Sequence, residues 1–216
     1  MPLIWLGGCE TGPTPFPILD RPDMQVAVTA TGQMANQHSH PFSFNEVVLG
    51  KVLRGMKVVD RDRMLGFGIL GETGGTPAFL DSQIVQLAPA LARGFRLSSP
   101  WDIVTFYFLT PNNEGETLVS SGGMFVTDKR FLHILLANSR TRPSDTSNSF
   151  VTGSELDHRQ HPLIPIGRFQ FRLSFDLPDA LVVDDGTSGW PSLVDQEQTI
   201  ILDLFKLIPE LRESQS

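Results

Sequence analysis

The sequence predicts an α+β domain in which about three helices cover one face of an antiparallel sheet. Short apolar segments separated by turn residues fill the centre of the chain, at 103–137. A second strand pattern, in which apolar and polar residues alternate, follows at 168–175. Segments with apolar residues at helical spacing lie near 44–54, 82–95 and 196–208. Strands and helices that are segregated along the chain in this way are typical of the α+β class.

The central block predicts a meander of three or four strands. Ile103 to Leu109 is an apolar run bounded by prolines, and Thr117 to Ser121 is expected to pair with it. Gly122-Gly123 should interrupt the second strand, because glycine weakens a strand interior. Asp128-Lys129-Arg130 separates two further strand patterns and predicts a tight hairpin. The run from Phe131 to Leu136, which is apolar apart from one histidine, predicts a strand that is covered on both faces.

Capping and breaking residues bound the predicted helices. Ser43 or Asn45 can cap the first helix, and Gly55 is suited to end it. Asp81 or Ser82 can cap the second helix, where an internal proline should cause a kink. The third helix is predicted over 196–208 because one helical face would carry Ile200, Ile201, Leu204, Phe205 and Ile208.

The remaining segments connect these elements. Met24 to Thr31 alternates and predicts a further strand, and a polar loop follows up to Pro41. The longest polar stretch runs from Asn138 to Pro165. A connection of this length is usually functional or disordered, so it is a place to look for a site.

Composition and charge exclude several classes of protein. The net charge of −7 argues against nucleic acid as a partner, since phosphates require a basic surface. It also argues against binding to anionic lipid by charge alone. The single cysteine excludes an internal disulfide and a cysteine-rich zinc site. No run reaches the roughly 18 apolar residues of a membrane-spanning helix.

The N-terminal segment Leu6-Gly7-Gly8-Cys9 resembles the lipobox of bacterial lipoproteins. The resemblance implies that the thiol of Cys9 is acylated and that the chain is cut before it. Residues 1–8 would then be the end of a signal peptide. Glu10, at the second position after the cut, is not the aspartate that tends to retain lipoproteins at the inner membrane, so the resemblance favours the outer membrane facing the periplasm. The match covers four of 216 residues.

A tether is expected directly after the cysteine. Residues 10–23 contain four prolines, which fix φ and remove backbone donors, so the stretch predicts an extended segment. We therefore divide the chain into a signal-peptide end (1–8), a lipidated cysteine with a Pro-rich tether (9–23), one α+β domain (24–210) and a polar tail (211–216).

Two loop segments hold four of the five histidines and form a candidate metal site. Imidazole and carboxylate groups are ligands for zinc and other first-row metals, provided that the two loops meet in space. Neither segment matches the HExxH spacing, so solvated loop histidines are the competing interpretation. The candidate ligands are His38, His40, Asp157, His158 and His161.

Arg140 and Arg142 follow the meander and form a candidate site for an anion or a partner protein. No GxSxG nucleophile motif occurs, and no glycine-rich loop has the context that a phosphate cradle requires. We therefore expect no cofactor and no catalytic residue.

The sequence as a whole predicts a non-catalytic lipoprotein that holds a partner protein at a bacterial membrane surface, as an accessory or scaffold subunit. Two alternatives stay open. One is a metal-dependent envelope enzyme that uses the histidine loops, and the other is a cytosolic binding domain in which the lipobox match is accidental.

Overall fold

The fold is described from a computed structural model of the chain. The residues described are 15–31, 38–60, 75–143, 157–166, 171–183 and 196–208. The lipobox-like segment Leu6 to Cys9 and the polar tail 211–216 lie outside them.

Within the described residues, ten strands form two antiparallel sheets and three α-helices accompany them, which confirms the predicted class. The strands are β1 (Phe16–Arg21), β2 (Met24–Ala30), β3 (Met56–Asp60), β4 (Thr76–Pro77), β5 (Asp102–Pro111), β6 (Thr117–Thr127), β7 (Phe131–Thr141), β8 (Phe171–Phe175), β9 (Leu181–Val182) and β10 (Thr199–Asp203). The helices are α1 (Glu46–Gly55), α2 (Asp81–Leu97) and α3 (Leu204–Leu207). The large sheet has the order β1-β2-β5-β6-β7-β10-β9, and the small sheet has the order β4-β3-β8.

The predicted meander is confirmed as β5, β6 and β7. Asp128 and Lys129 have φ values of 52° and 54°, the left-handed pair that a two-residue turn needs to match the twist of its strands. The predicted break at Gly122-Gly123 is wrong, because β6 runs through both glycines without interruption. A Cβ at Gly122 would lie only 2.1 Å from the carbonyl oxygen of Leu135 in β7. Glycine therefore permits a close approach of two strands here.

Helices α1 and α2 cover one face of the large sheet, which we call the helix face. This face carries Val26, Phe106 and Met124 in the main hydrophobic core. The side chain of Asn45 caps α1 by accepting a hydrogen bond from the amide of Val47 at 2.8 Å. Neither Asp81 nor Ser82 caps α2. Its N-cap is Leu80, whose amide donates to the side-chain oxygen of Gln83 at 2.8 Å.

The opposite face, which we call the outer face, carries Ile103, Phe125 and Leu135, all of them buried. Residues 157–166, which we call the crossing segment, pack over it. The side chain of Leu163 comes within 2.8 Å of the position that a Cβ at Gly123 would take. Strand β7 is consequently buried on both faces from Leu132 to Ala137, as its continuous apolar pattern predicts.

The alternating strand predicted at 168–175 is confirmed over Phe171–Phe175, but it lies in the small sheet. It pairs with β3, with Leu173 opposite Val58. Its inward side chains Phe171, Leu173 and Phe175 join the same hydrophobic core.

The helix predicted over 196–208 is wrong. Gln196–Gln198 is a 3₁₀ turn, Thr199–Asp203 is β10, and the helix is limited to Leu204–Leu207. Strand β7 offers an edge to which this apolar segment adds by main-chain pairing, with Ile201 opposite His133. Both faces of β10 are then buried, which a surface helix would not achieve. Asp203 ends the strand and caps the helix by accepting from the amide of Phe205 at 3.1 Å.

Part of the expected tether is also a strand. Phe16–Arg21 forms β1 at the edge of the large sheet, where it pairs with β2. A proline is tolerated there because the outer side of an edge strand makes no ladder hydrogen bond. The pairing register shifts between Pro17 and Leu19, which leaves Ile18 as a bulge.

The contact at Gly122 yields a stability prediction. Gly122→Ala should lower the free energy of unfolding by at least about 3 kcal/mol, because the new methyl group meets a backbone oxygen that cannot move aside. Urea unfolding measures the change.

Gly50→Ala in α1 is the matched control. A Cβ there meets its nearest neighbours at 3.7 Å, so this variant should be neutral or more stable by up to about 1 kcal/mol. Equal effects at the two positions would contradict the close approach of β6 and β7.

Candidate functional site

Residues 38–42 close one end of the large sheet, where β5 begins and β6 ends. The amide of His38 donates to the carbonyl of Pro100 at 2.8 Å, and the amide of Ser39 donates to that of Val126 at 2.7 Å. These backbone bonds turn His38 and His40 inward, where only 3% and 5% of each residue is exposed. The two histidines are therefore not the solvated loop residues of the competing interpretation.

Two phenylalanine rings contact these two histidines, and a third histidine lies behind one of them. The His38 ring stacks on Phe125 with centroids 4.1 Å apart, and the His133 ring stacks on Phe125 at 4.5 Å. The His40 ring meets the edge of Phe95 at 5.3 Å and lies 5.6 Å from His38. Imidazole here serves as an aromatic packing group that retains a polar edge.

A hydrogen bond assigns the His40 imidazole to the neutral form, and burial lowers the pKa of both histidines. Burial lowers the pKa of His40 to about 4, helped by the nearby His38 and opposed by Asp102. Its Nε2 accepts from the amide of Val126 at 3.2 Å, so the proton of the neutral ring lies on Nδ1. The Nδ1 of His38 donates to the carbonyl of Asp102 at 2.7 Å, and burial lowers its pKa also. With Nε2 occupied and Nδ1 protonated, neutral His40 offers no lone pair to a metal ion.

The crossing segment holds the other predicted ligands, far from the first pair. Arg159 forms an ion pair with Asp20 and donates to the carbonyl of Pro22 at 3.2 Å, which fixes the segment near the β1–β2 turn. The charge of Asp157 acts together with burial to raise the pKa of Tyr107 in β5. His158 is half-buried, and burial lowers its pKa, whereas His161 is exposed.

The two histidine groups therefore do not meet. His38 lies beside Asp102 at the start of β5, and Asp157 lies near Tyr107, five residues further along the same strand. Five residues of extended strand span about 16 Å. Within the described ranges, no three His, Cys, Asp or Glu side chains come together as a group that could hold a metal ion.

Arg140 and Arg142 are both used in local contacts. Arg142 forms ion pairs with Glu114 at 2.9 Å and with Glu116 at 2.8 Å. Arg140 has a φ of 49° and donates to the carbonyl of Pro77 at 3.0 Å. Arg142 is therefore ion-paired with two carboxylates, and Arg140 donates to a backbone carbonyl.

A buried amide network that the sequence did not reveal holds the crossing segment on the outer face. The side-chain nitrogen of Asn138 donates to the hydroxyl of Ser121 at 2.8 Å and to the carbonyl of Ile164 at 3.0 Å. Its oxygen accepts from the amide of Ile166 at 2.7 Å. Asn138 opposes Ser121 because the β6–β7 register shifts at this point. The only sequence signal was an asparagine that ends an apolar strand.

A second unforeseen contact joins the β6–β7 hairpin to β10. The guanidinium of Arg130 binds the carboxylate of Asp203 through two hydrogen bonds, of 3.0 and 2.6 Å. The hydrogen bonds from Arg130 are the main reason that the pKa of Asp203 lies below its usual value. The same guanidinium lies over the rings of Phe131 and Phe205, 5.0 and 5.3 Å from their centroids. This group stabilises the fold.

An open apolar groove of about 350 Å³ runs between α2 and the edge strand β1. Two arginines, Arg21 and Arg93, lie at its rim. Arg21 also forms an exposed ion pair with Asp23 at 3.3 Å, whereas Arg93 has no ion-pair partner among the described residues. The other lining residues are Ile18, Leu19, Gln86, Pro89 and Ala90. The prolines of the segment that contains Ile18 indicated an extended tether, so the sequence did not predict that this segment forms one wall of the groove.

Comparison of the chain with protein-family models, with curated proteins and with solved structures gives no match in any of the three. In the part of the chain that the structure describes, no helix is both long and apolar enough to cross a membrane.

The buried state of His40 predicts a pH dependence of stability. The folded pKa of about 4 lies below the ordinary value of 6.5, so the unfolded chain binds the proton more readily. The contribution of neutral His40 to the free energy of unfolding is complete above pH 6.5 and is lost as the pH falls towards 4. Between pH 7 and pH 5, His40 should account for a loss of about 2 kcal/mol in the free energy of unfolding.

Urea unfolding of His40→Gln at the two pH values tests this. The glutamine oxygen can accept from Val126 but does not titrate, so the variant should lose about 2 kcal/mol of the pH dependence. His161→Gln, at an exposed position, is the control and should behave like the wild type. An unchanged pH dependence in His40→Gln would show that His40 is already solvated or charged.

Proposed function

We propose that the protein is a non-catalytic accessory subunit, held at a bacterial envelope membrane by acyl chains on Cys9, that binds a partner protein through the α2–β1 groove. The groove is the observation on which the binding part of this proposal depends. The outer membrane, facing the periplasm, is the proposed location.

The anchor part of the proposal is supported by Leu6-Gly7-Gly8-Cys9. Two or more acyl chains hold a protein stably at a bilayer, since each buried methylene contributes about 0.8 kcal/mol. The first strand begins at Phe16, seven residues after the cysteine. A folded domain that starts so soon after the anchor would stay close to the membrane surface.

The binding part is supported by the chemistry of the groove. Its floor is apolar, and exposed apolar surface in a concave site is typical of interaction sites. Arg93, which has no ion-pair partner among the described residues, gives its rim a positive charge, whereas Arg21 is paired with Asp23, and the chain as a whole carries a net charge of −7. A complementary partner segment would have apolar side chains for the floor and carboxylates for the arginines.

The non-catalytic part is supported by the state of the titratable groups. The imidazoles of His38 and His40 are buried and use a ring nitrogen in a bond to the backbone. The buried carboxylate of Asp203 is bound to Arg130. Among the described residues, the two histidines serve packing, and the Asp203 carboxylate serves helix capping and the ion pair with Arg130.

Intact-mass measurement of the protein, purified in detergent from its native host, tests the anchor. We expect a mass that lacks residues 1–8 and includes acyl chains, because the lipobox directs both reactions to Cys9. Cys9→Ser should abolish both changes and release the protein from membranes. An unmodified full-length mass would instead favour the alternative of a cytosolic binding domain.

Site-specific photo-crosslinking tests the groove. A benzophenone amino acid at position 86 in the groove wall should give a discrete adduct with a partner in native membranes. The same group at position 113, on the exposed β5–β6 turn, should not. Arg93→Glu should weaken the adduct by about tenfold, since a glutamate that faces a carboxylate of the partner places two like charges together, at a cost of at least about 1.4 kcal/mol.

Lys51→Glu is the matched charge-reversal control, because Lys51 is an exposed base on α1, outside the groove. It should leave the adduct unchanged. Equal loss in both variants would point to non-specific charge effects, and an adduct that is insensitive to Arg93→Glu would refute the proposed complementarity.

A further inference from the structure

Three large apolar side chains are exposed at one end of the domain. Phe16 is 60% exposed, Leu97 is 54% exposed and Trp101 is 50% exposed. Trp101 is held in position because its carbonyl accepts from the amide of Thr31 at 3.0 Å and from the Thr31 hydroxyl at 2.7 Å. Its ring is thus presented to solvent from a fixed backbone.

Strand pairing places these side chains at the same end. Phe16 at the start of β1 opposes Val28, and Val28 opposes Val104 near the start of β5. Helix α2 packs closely on the sheet at Gly94, where an added Cβ would lie 2.7 Å from Val104. Leu97 at the end of α2 and Trp101 just before β5 therefore lie at the end of the sheet where β1 begins.

Basic side chains accompany the apolar ones. Arg96 is exposed in the last turn of α2, and Lys129 is exposed at the tip of the β6–β7 hairpin, next to the start of β5. Among the described residues, the carboxylates at this end include Asp128 in the same hairpin tip, Asp203, which is ion-paired with Arg130, and Asp102, which accepts from the amide of Ser99 at 2.6 Å. The end as a whole is close to electrically neutral in a chain of net charge −7.

The position of Cys9 relates this end of the domain to the bilayer. An extended chain of seven residues spans at most about 25 Å, so an acyl chain on Cys9 would keep the start of β1 within that distance of the bilayer. The opposite end, at the β5–β6 turn, lies a further ten strand residues away, or about 33 Å. Aromatic rings that are flanked by Lys or Arg are suited to the headgroup region of a bilayer.

We propose that the end formed by Phe16, Arg96, Leu97, Trp101 and Lys129 lies against the lipid surface. The three apolar side chains enter the headgroup boundary and the two cations face lipid phosphates, so that the tethered domain has a fixed orientation. This inference rests on the proposed anchoring at Cys9. It places the crosslinking position 86 to the side of the contact, and it leaves the β5–β6 turn pointing away from the membrane.

Trp101 is itself the probe for the test. The full chain carrying Trp5→Phe and Trp190→Phe has Trp101 as its single tryptophan. Its only cysteine is coupled to a maleimide lipid in vesicles of phosphatidylcholine and phosphatidylglycerol. Brominated lipids should quench Trp101 at least about twofold more than a reporter at the far end, because interfacial side chains enter about 5–10 Å into the headgroup boundary. The far-end reporter adds Trp101→Phe and Asn113→Trp.

Further variants distinguish contact with the lipid surface from contact with a second copy of the chain. Arg96→Glu combined with Leu97→Ser should reduce the quenching of Trp101 towards the far-end value while the circular dichroism spectrum is retained. Equal quenching of the two reporters would overturn the proposal. So would a concentration-dependent dimer in sedimentation that Leu97→Ser abolishes, because a second copy would then cover the patch.

The chemical tether makes this test independent of acylation in the cell. If native Cys9 proves to be unmodified, the proposed anchoring fails whatever the quenching shows, and the proposed orientation fails with it. If Cys9 is acylated but the two reporters are quenched equally, the anchoring stands and only the orientation is refuted.

Discussion

The pair Gly122-Gly123 at the centre of the central strand is the constraint on which both layers of the domain depend. The two residues point to opposite faces of the sheet. At Gly122 the missing side chain leaves room for the Phe106 ring and for the backbone of β7. At Gly123 it leaves room for Leu163 of the crossing segment. The Phe106 ring on the helix face and the crossing segment on the outer face can therefore both pack against the same strand, and β7 beside it is buried on both faces.

The meander, α1 and α2 follow from local pattern, because apolar spacing and turn residues decide them within a few residues of sequence. The segment 196–208 illustrates where local pattern fails. Ile200, Ile201 and Leu204 satisfy a helical spacing equally well, and the free edge of β7 decides the outcome. Likewise the prolines of 10–23 indicate an extended chain, and extended chain at a sheet edge is a strand. For Thr199–Asp203 the deciding contact comes from β7, which is distant in sequence. For β1 it comes from β2, which follows directly along the chain and is itself held in the sheet by the distant strand β5.

The candidate site was foreseeable as a set of residue types but not as an arrangement. Two loop histidines, separated by one serine, could be named from the sequence. The backbone hydrogen bonds to Pro100 and Val126 that bury them, however, depend on the assembled sheet. Arg142 was a candidate for an anion or partner site, and it is ion-paired because the β5–β6 turn brings two glutamates to it. Asn138 gave almost no signal, because a single buried amide is recognisable only when its three partners are in position.

The place of β10 between β7 and β9 affects how the chain can fold. Its partner residues in β7 precede it by more than sixty positions, so the sheet acquires these contacts late, after a large loss of chain entropy. Until Thr199–Asp203 dock, β7 presents an unpaired edge with apolar side chains on both faces. An edge of that kind adds readily to strands of other chains. A nascent copy of this protein therefore passes through a stage at which it is prone to aggregate, and a chaperone that shields β7 would protect it then.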